Sequence, residues 1–254
     1  MPITSPQLTT KPLWNQALVQ PAPEFPKTSL PIVSGAIPAG LCGTLYRNGP
    51  GRLERGGKRV GHWFDGDGAI LAVKFADGAA SGVYRYVQTK KYQQESQVDR
   101  WLYGNYGMLP SGNLWERWGK SLGNAANTSV LALPDQLLAL WEGGVPHALD
   151  LDSLETIGTD NLGFNSAPLV YSAHPKVDPI SGHIYNFGIS IGAQPKLNLY
   201  ESDRSGKVIK FTQTKLPRLT TAHDFLMVGK YLVFCIAPLE IQPLPILFRL
   251  ASYS

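Results

Sequence analysis

Two histidines carry the clearest chemistry in this sequence. In YSAHPKVDP (171–179) His174 follows an alanine and precedes a proline; in TAHDFLM (221–227) His223 again follows an alanine, 49 residues later. Either one alone reads as a turn histidine capping a strand. As a pair they suggest a metal. Neutral imidazole is a borderline metal ligand. Such a site needs a fold that carries residues 49 apart to one point.

The surrounding sequence supplies a candidate. Glycine (26) and proline (20) punctuate short apolar runs: TLYRNG, GAILAVKFA, SGVYRYVQTKKY, SVLALP, QLLALWEGG, GHIYNFGISI, KLNLYES and KYLVFCIAP. These runs predict strands and turns rather than helices. Three segments align, opening at Ala126, Ala173 and Ala222, with Asn127, His174 and His223 as the second residue of each. Each continues as strand, turn and more apolar strand. A repeat of about 40–50 residues with about four strands is the mark of a propeller blade. The expected fold class is therefore all-β, a β-propeller. The first strand of a blade is innermost, so equivalent residues at its start gather round the axis. His174 and His223 are expected to meet there from adjacent blades.

Propellers close with about 4–8 blades, and about four are visible here, the last cut short. The chain is expected to be the N-terminal portion of a larger propeller. It divides into an irregular, proline-rich arm over 1–30 and the partial propeller over 31–254. The stretch 107–124, with Leu114, Trp115, Trp118 and Leu122 on one stripe, predicts a helical cap insertion.

Bulk properties exclude several classes. A net charge of +4 with scattered Lys and Arg brings no nucleic-acid module, and the Lys90-Lys91 doublet reads as a solvated strand edge. Cys42 and Cys235 are two cysteines, too few for a disulfide framework, and read as reduced, buried thiols of a cytoplasmic protein. No secretory signal is evident, and no apolar run of about 18 residues could span a membrane. Asp65 and Asp67 in FDGDG, and the RNGPG stretch (47–51), read as turn chemistry rather than as an acid/base pair or a phosphate loop.

The ordered phrases GTLYRNGPG (43–51), HWFDGDG (62–68), ANT (126–128), LLALWEGG (137–144), SAHPKVDP (172–179) and AHDF (222–225) closely resemble the first half of a carotenoid cleavage oxygenase of the cyanobacterial apocarotenoid-oxygenase kind. The resemblance runs from about residue 30 to about residue 250. It implies a seven-bladed propeller with Fe(II) on its axis, held by four histidines from different blades. Dioxygen would then be split across a conjugated C=C bond of a carotenoid or apocarotenoid, leaving two carbonyl products. His174 and His223 match two of those ligands. The motifs of the other two, including a His-x-x-Asn-Ala-Phe-Glu phrase, do not occur here, and His62, His147 and His183 sit in other motifs.

Further roles follow from the resemblance. Glu142 matches a glutamate that holds the second ring nitrogen of a ligand histidine, expected to be a histidine missing from this chain. Thr128 matches a threonine lining an open coordination position. The apolar segments 101–118 and 239–250 match a patch in contact with a membrane surface. A complementary C-terminal chain would complete the ring. The competing reading is an inactive, truncated remnant or an apocarotenoid-binding fragment; a glycan- or protein-binding propeller of kelch type fits the period but not the phrases.

Overall fold

The computed structural model describes residues 20–109, 122–192 and 194–236. The stretch LLAL (137–140) shows how its layers arise. All four residues are buried, as expected of a strand covered on both faces. Leu137 and Ala139 pack one way, against Ile70, Ala72 and Val83; Leu138 and Leu140 pack the other way, against Tyr171, Ile184 and Tyr200. One strand thus serves two cores, and its sheet is a blade between two neighbours.

The first blade holds β1 (Phe25–Leu30), β2 (Gly43–Arg52), β5 (Asp67–Ala76) and β6 (Ala79–Tyr86), in spatial order β1-β6-β5-β2. Between β2 and β5 lie a small hairpin, β3 (Glu54–Arg55) and β4 (Lys58–Arg59), and a 3-10 turn at Trp63–Asp65. Helix α1 (Lys90–Val98) follows, capped by Thr89, whose hydroxyl accepts the Tyr92 N–H at 3.0 Å. The second blade runs β7 (Ser129–Ala132), β8 (Leu137–Leu140), β9 (His147–Leu149) and β10 (Thr156–Thr159). The third runs β11 (Lys176–Val177), β12 (Ile184–Ser190), β13 (Lys196–Ser202) and β14 (Val208–Lys215). A hairpin of β15 (Phe225–Val228) and β16 (Tyr231–Phe234) starts a fourth. Pairing is antiparallel throughout, and β7, β11 and β15 each follow one of the repeat alanines at the inner end of a sheet. The fold is an incomplete, all-β propeller, as the repeat implied. Phe187, Leu197 and Phe225 form the third core, between the third blade and the hairpin.

A buried ionic cluster fixes the first blade to α1. Asp67 binds Arg55 and Lys91, each at 2.7 Å, and Lys91 also binds Glu95 at 2.9 Å. Glu95 accepts the N–H groups of Leu102 and Tyr103, and the Trp101 ring lies 4.6 Å from the Lys91 ammonium. Each charge of this cluster therefore has a partner of opposite sign, the condition under which such burial is tolerated.

Several expectations are corrected. Residues 1–30 are not irregular throughout, because Phe25–Leu30 pairs with β6 as the outer strand of the first blade. RNGPG lies inside β2, where a bulge between Pro50 and Arg52 absorbs the irregularity instead of a turn. Lys91 is neither solvated nor on a strand: it is buried on α1, where the Asp67 and Glu95 carboxylates compensate its charge. Cys42 and Cys235 are exposed rather than buried. The predicted helix over 107–124 falls mostly on 110–121, outside the described residues.

His147 supplies a stability test. It is buried on β9, its Nδ1 has no hydrogen-bond partner among the described residues, and burial pushes its pKa down to about 4. An unfolded imidazole takes up a proton near pH 6.5, whereas the folded one does so only near 4. Acidification through that window withdraws stability on the order of 3 kcal/mol. His147→Phe is expected to abolish this contribution. Urea unfolding at about pH 7 and about pH 4.5 should show a smaller loss in the variant than in the parent; equal losses would refute the assignment.

Candidate metal centre

Glu142, His174 and His223 come from three successive blades, and one donor atom from each lies within 4.8 Å of the other two. Local sequence explains each placement. Trp141 and Glu142 follow β8 into a turn closed by the Gly144 N–H on the Trp141 carbonyl, at 3.3 Å. Gly143 takes φ +73°, and a Cβ on Gly144 would sit 2.6 Å from Asn124 Nδ2 and 2.8 Å from the Trp141 ring, so the doublet must be glycine. Gly144 then pairs with Tyr171, tying the Glu142 turn to the segment that carries His174.

The His174 backbone is firmly held. Ser172 donates its N–H to Phe187 O and accepts on its carbonyl from Asn186 Nδ2, both at 2.8 Å, and its hydroxyl accepts the His174 N–H at 3.2 Å. His223 precedes β15 with a side chain 73% exposed. The two imidazoles meet edge to face, with ring centroids 4.3 Å apart. The expected meeting of the pair is therefore present.

Glu142 lies between them. Its Oε1 is 3.1 Å from His174 Nε2 and 3.2 Å from His223 Nδ1. Among the described residues, the histidines that it approaches are His174 and His223. Although 37% of the Glu142 side chain remains exposed, Oε1 itself is buried, as is His174 Nε2. Burial, with the nearby Asp224 charge, pushes the Glu142 pKa up to about 7. Burial and the His223 ring push the His174 pKa down, which favours the neutral, ligating form. Two imidazole nitrogens and one carboxylate oxygen, of which His174 Nε2 and Glu142 Oε1 are buried, fit a borderline divalent transition metal.

The remaining sequence candidates make contacts of their own. Asn127, the repeat equivalent of the histidines, donates from Nδ2 to the carbonyls of Phe64 and Gly66, at 2.8 and 2.7 Å. The adjacent Thr128 hydroxyl donates to Asn127 Oδ1 at 3.2 Å. His62 caps the 3-10 turn and packs against Phe64 and Tyr106; His183 pairs with Glu201 at 2.8 Å. Asp65 accepts the N–H of Gly107, so neither acid of FDGDG is a free acid/base group. Sequence reasoning missed Lys176 and Asp224, which form an ion pair at 2.8 Å beside the histidines.

Residues 19–252 match the family described as retinal pigment epithelial membrane protein, RPE65. The chain belongs to this family of carotenoid cleavage oxygenases. Over 234 residues it is 39% identical to the apocarotenoid-15,15'-oxygenase of Synechocystis, covering 86% of this chain and 46% of that relative. Resveratrol cleavage oxygenase 1 of Aspergillus fumigatus is 32% identical over 208 residues, 81% of this chain and 41% of the relative. The cobalt-substituted structure of the Synechocystis oxygenase superposes with a TM-score of 0.84 at 37% identity, covering 92% of this chain and 50% of that one. The chain spans about half the length of the relatives it matches.

A metal test follows from Glu142. Glu142→Gln keeps the shape but removes the carboxylate charge that faces both imidazoles. Its Co(II) affinity is expected to fall on the order of 10- to 100-fold, with the far-UV circular dichroism unchanged. Equal affinity by isothermal titration would exclude a role for Glu142 at the metal.

Proposed function

We propose that this chain supplies one half of a non-haem Fe(II) dioxygenase centre that cleaves a conjugated C=C bond of a carotenoid or apocarotenoid. One alkene and one O2 give two carbonyl products. The observation that carries the reading is the convergence of Glu142, His174 and His223 from three blades, with Glu142 Oε1 and His174 Nε2 buried. His174 and His223 would hold the ion. The bound ferrous ion supplies O2 binding and activation. Glu142 beside His223 Nδ1 orients that ring and leaves its Nε2 for the metal, while its charge offsets that of the cation. Thr128 lines an open position of the site, next to the Asn127 that marks the inner end of β7.

Two imidazoles fill only part of a coordination sphere, so the 254-residue chain alone is proposed to bind metal weakly and to turn over no substrate. A complementary C-terminal polypeptide would complete both the sphere and the ring. The apolar substrate argues for peripheral contact of a cytoplasmic protein with a membrane through 101–118 and 239–250. Trp101 is buried against α1 and takes no part; residues 110–118 and 239–250 lie outside the described residues. Among the described residues no helix is long and apolar enough to cross a membrane.

The alternative, an inactive remnant or an apocarotenoid-binding fragment, is favoured by the relatives' additional length. Co-expression with the C-terminal half of a relative separates the two. The expected result is a complex that contains iron and oxidatively cleaves an apocarotenal, while the chain alone is inert and His174→Ala abolishes both iron and cleavage in the complex. An iron-free complex inert toward polyenes would overturn the proposal.

A further inference from the structure

We propose that Lys176 and Asp224 form a tie across the seam between the third and fourth blades that sets the separation of His174 and His223, making both positioning residues for an ion held by the imidazoles. The inference rests on the metal-centre reading above. His174 and Lys176 are two apart, and Pro175 between them biases His174 toward extended backbone, which directs both side chains toward the same neighbour. The His174 ring meets the His223 ring at 4.3 Å, and the Lys176 ammonium meets Asp224 Oδ1 at 2.8 Å and lies 5.7 Å from the centre of the Phe225 ring. Two rungs therefore cross one seam side by side.

The repeat supports the assignment independently. Ser129 and Lys176 occupy the same position, three residues after Ala126 and Ala173. Ser129 Oγ reaches forward to the Ala173 carbonyl of the next blade, and Lys176 reaches forward to Asp224 of its own next blade. The first seam is tied in kind, by Asn48 Nδ2 on the Ser129 carbonyl at 3.0 Å. The third seam differs in using a long, charged side chain.

The two histidines also differ in how they are held. His174 sits in the hydrogen-bonded frame of Ser172, Asn186 and Phe187, whereas His223 is largely exposed. Asp224 Oδ1 accepts the Phe225 N–H at 2.7 Å as well as the Lys176 ammonium, so the grip on Asp224 is a grip on the turn that presents His223. A partly exposed ion pair adds little to global stability. Its consequence is local: it decides where residues 223–225 sit relative to His174.

The test is Co(II) titration of the full chain at one fixed pH, followed by calorimetry and by visible absorption. Lys176→Met and Asp224→Asn are each expected to weaken binding on the order of 3- to 10-fold and to alter the cobalt spectrum, with the thermal midpoint unmoved. Lys176→Arg, which keeps charge and reach, should bind within about twofold of the parent. The reversed pair Lys176→Asp with Asp224→Lys should recover most of the loss of either single change. Simple long-range electrostatics predicts the opposite sign for Lys176→Met, since deleting a positive charge tightens cation binding. Tighter binding in Lys176→Met, or both single variants matching the parent, would overturn the tie. Binding lost in His174→Ala but untouched by the tie variants sinks the tie alone. A parent chain with no saturable Co(II) binding sinks the metal reading together with the tie.

Discussion

A carboxylate oxygen and an imidazole nitrogen, both buried, lie 3.1 Å apart where successive blades meet. Left without a partner, such groups cost about 1–3 kcal/mol each, so each depends on the other or on a cation between them. The contact persists because Glu142 and His174 are carried by separate, well-packed blades, and neither element can relax independently of the other. Glu142 is held by a glycine turn, and His174 by the Ser172–Asn186 frame. The raised pKa of Glu142, about 7, reports the same tension: the pocket disfavours an uncompensated negative charge and would welcome a cation.

The blades themselves depend on strands that are apolar on both faces. LLAL splits its side chains between two cores, and Phe187 and Phe225 repeat the device at the third seam. Packing of this kind is non-directional and would tolerate sliding. Direction comes from polar ties near the inner strands, where Asn48, Ser129 and Lys176 each reach forward to the next blade. A separate buried cluster of Arg55, Asp67, Lys91 and Glu95 locks α1 to the first blade. Packing therefore makes the ring, and polar chemistry fixes its phase.

What the sequence made legible was the periodic part. Ala126, Ala173 and Ala222 mark equivalent inner strands, so the meeting of His174 and His223 could be reasoned before any coordinates. Departures from period were less readable. RNGPG carries the strongest turn signals in the chain, yet β5 pairs along it and imposes a bulged strand. Lys91 looked solvated because its compensating acids, Asp67 and Glu95, meet it only through the hairpin and the helix. Glu142 was recognised, but its approach to His174 and His223 was not, since the Gly144–Tyr171 bridge that ties its turn to the His174 segment leaves no local trace. Lys176 could have been found: it is the repeat equivalent of Ser129, and an acid stands directly after His223.

The central claim is that three blades deliver Glu142, His174 and His223 to a single ion. Anomalous diffraction at the cobalt edge, from crystals of the Co(II)-loaded chain, tests it most directly. The account predicts one peak in contact with a ring nitrogen of His174 and of His223, with the Glu142 carboxylate alongside. Ordered imidazoles turned away from each other, or a cobalt peak elsewhere and none between them, would contradict it.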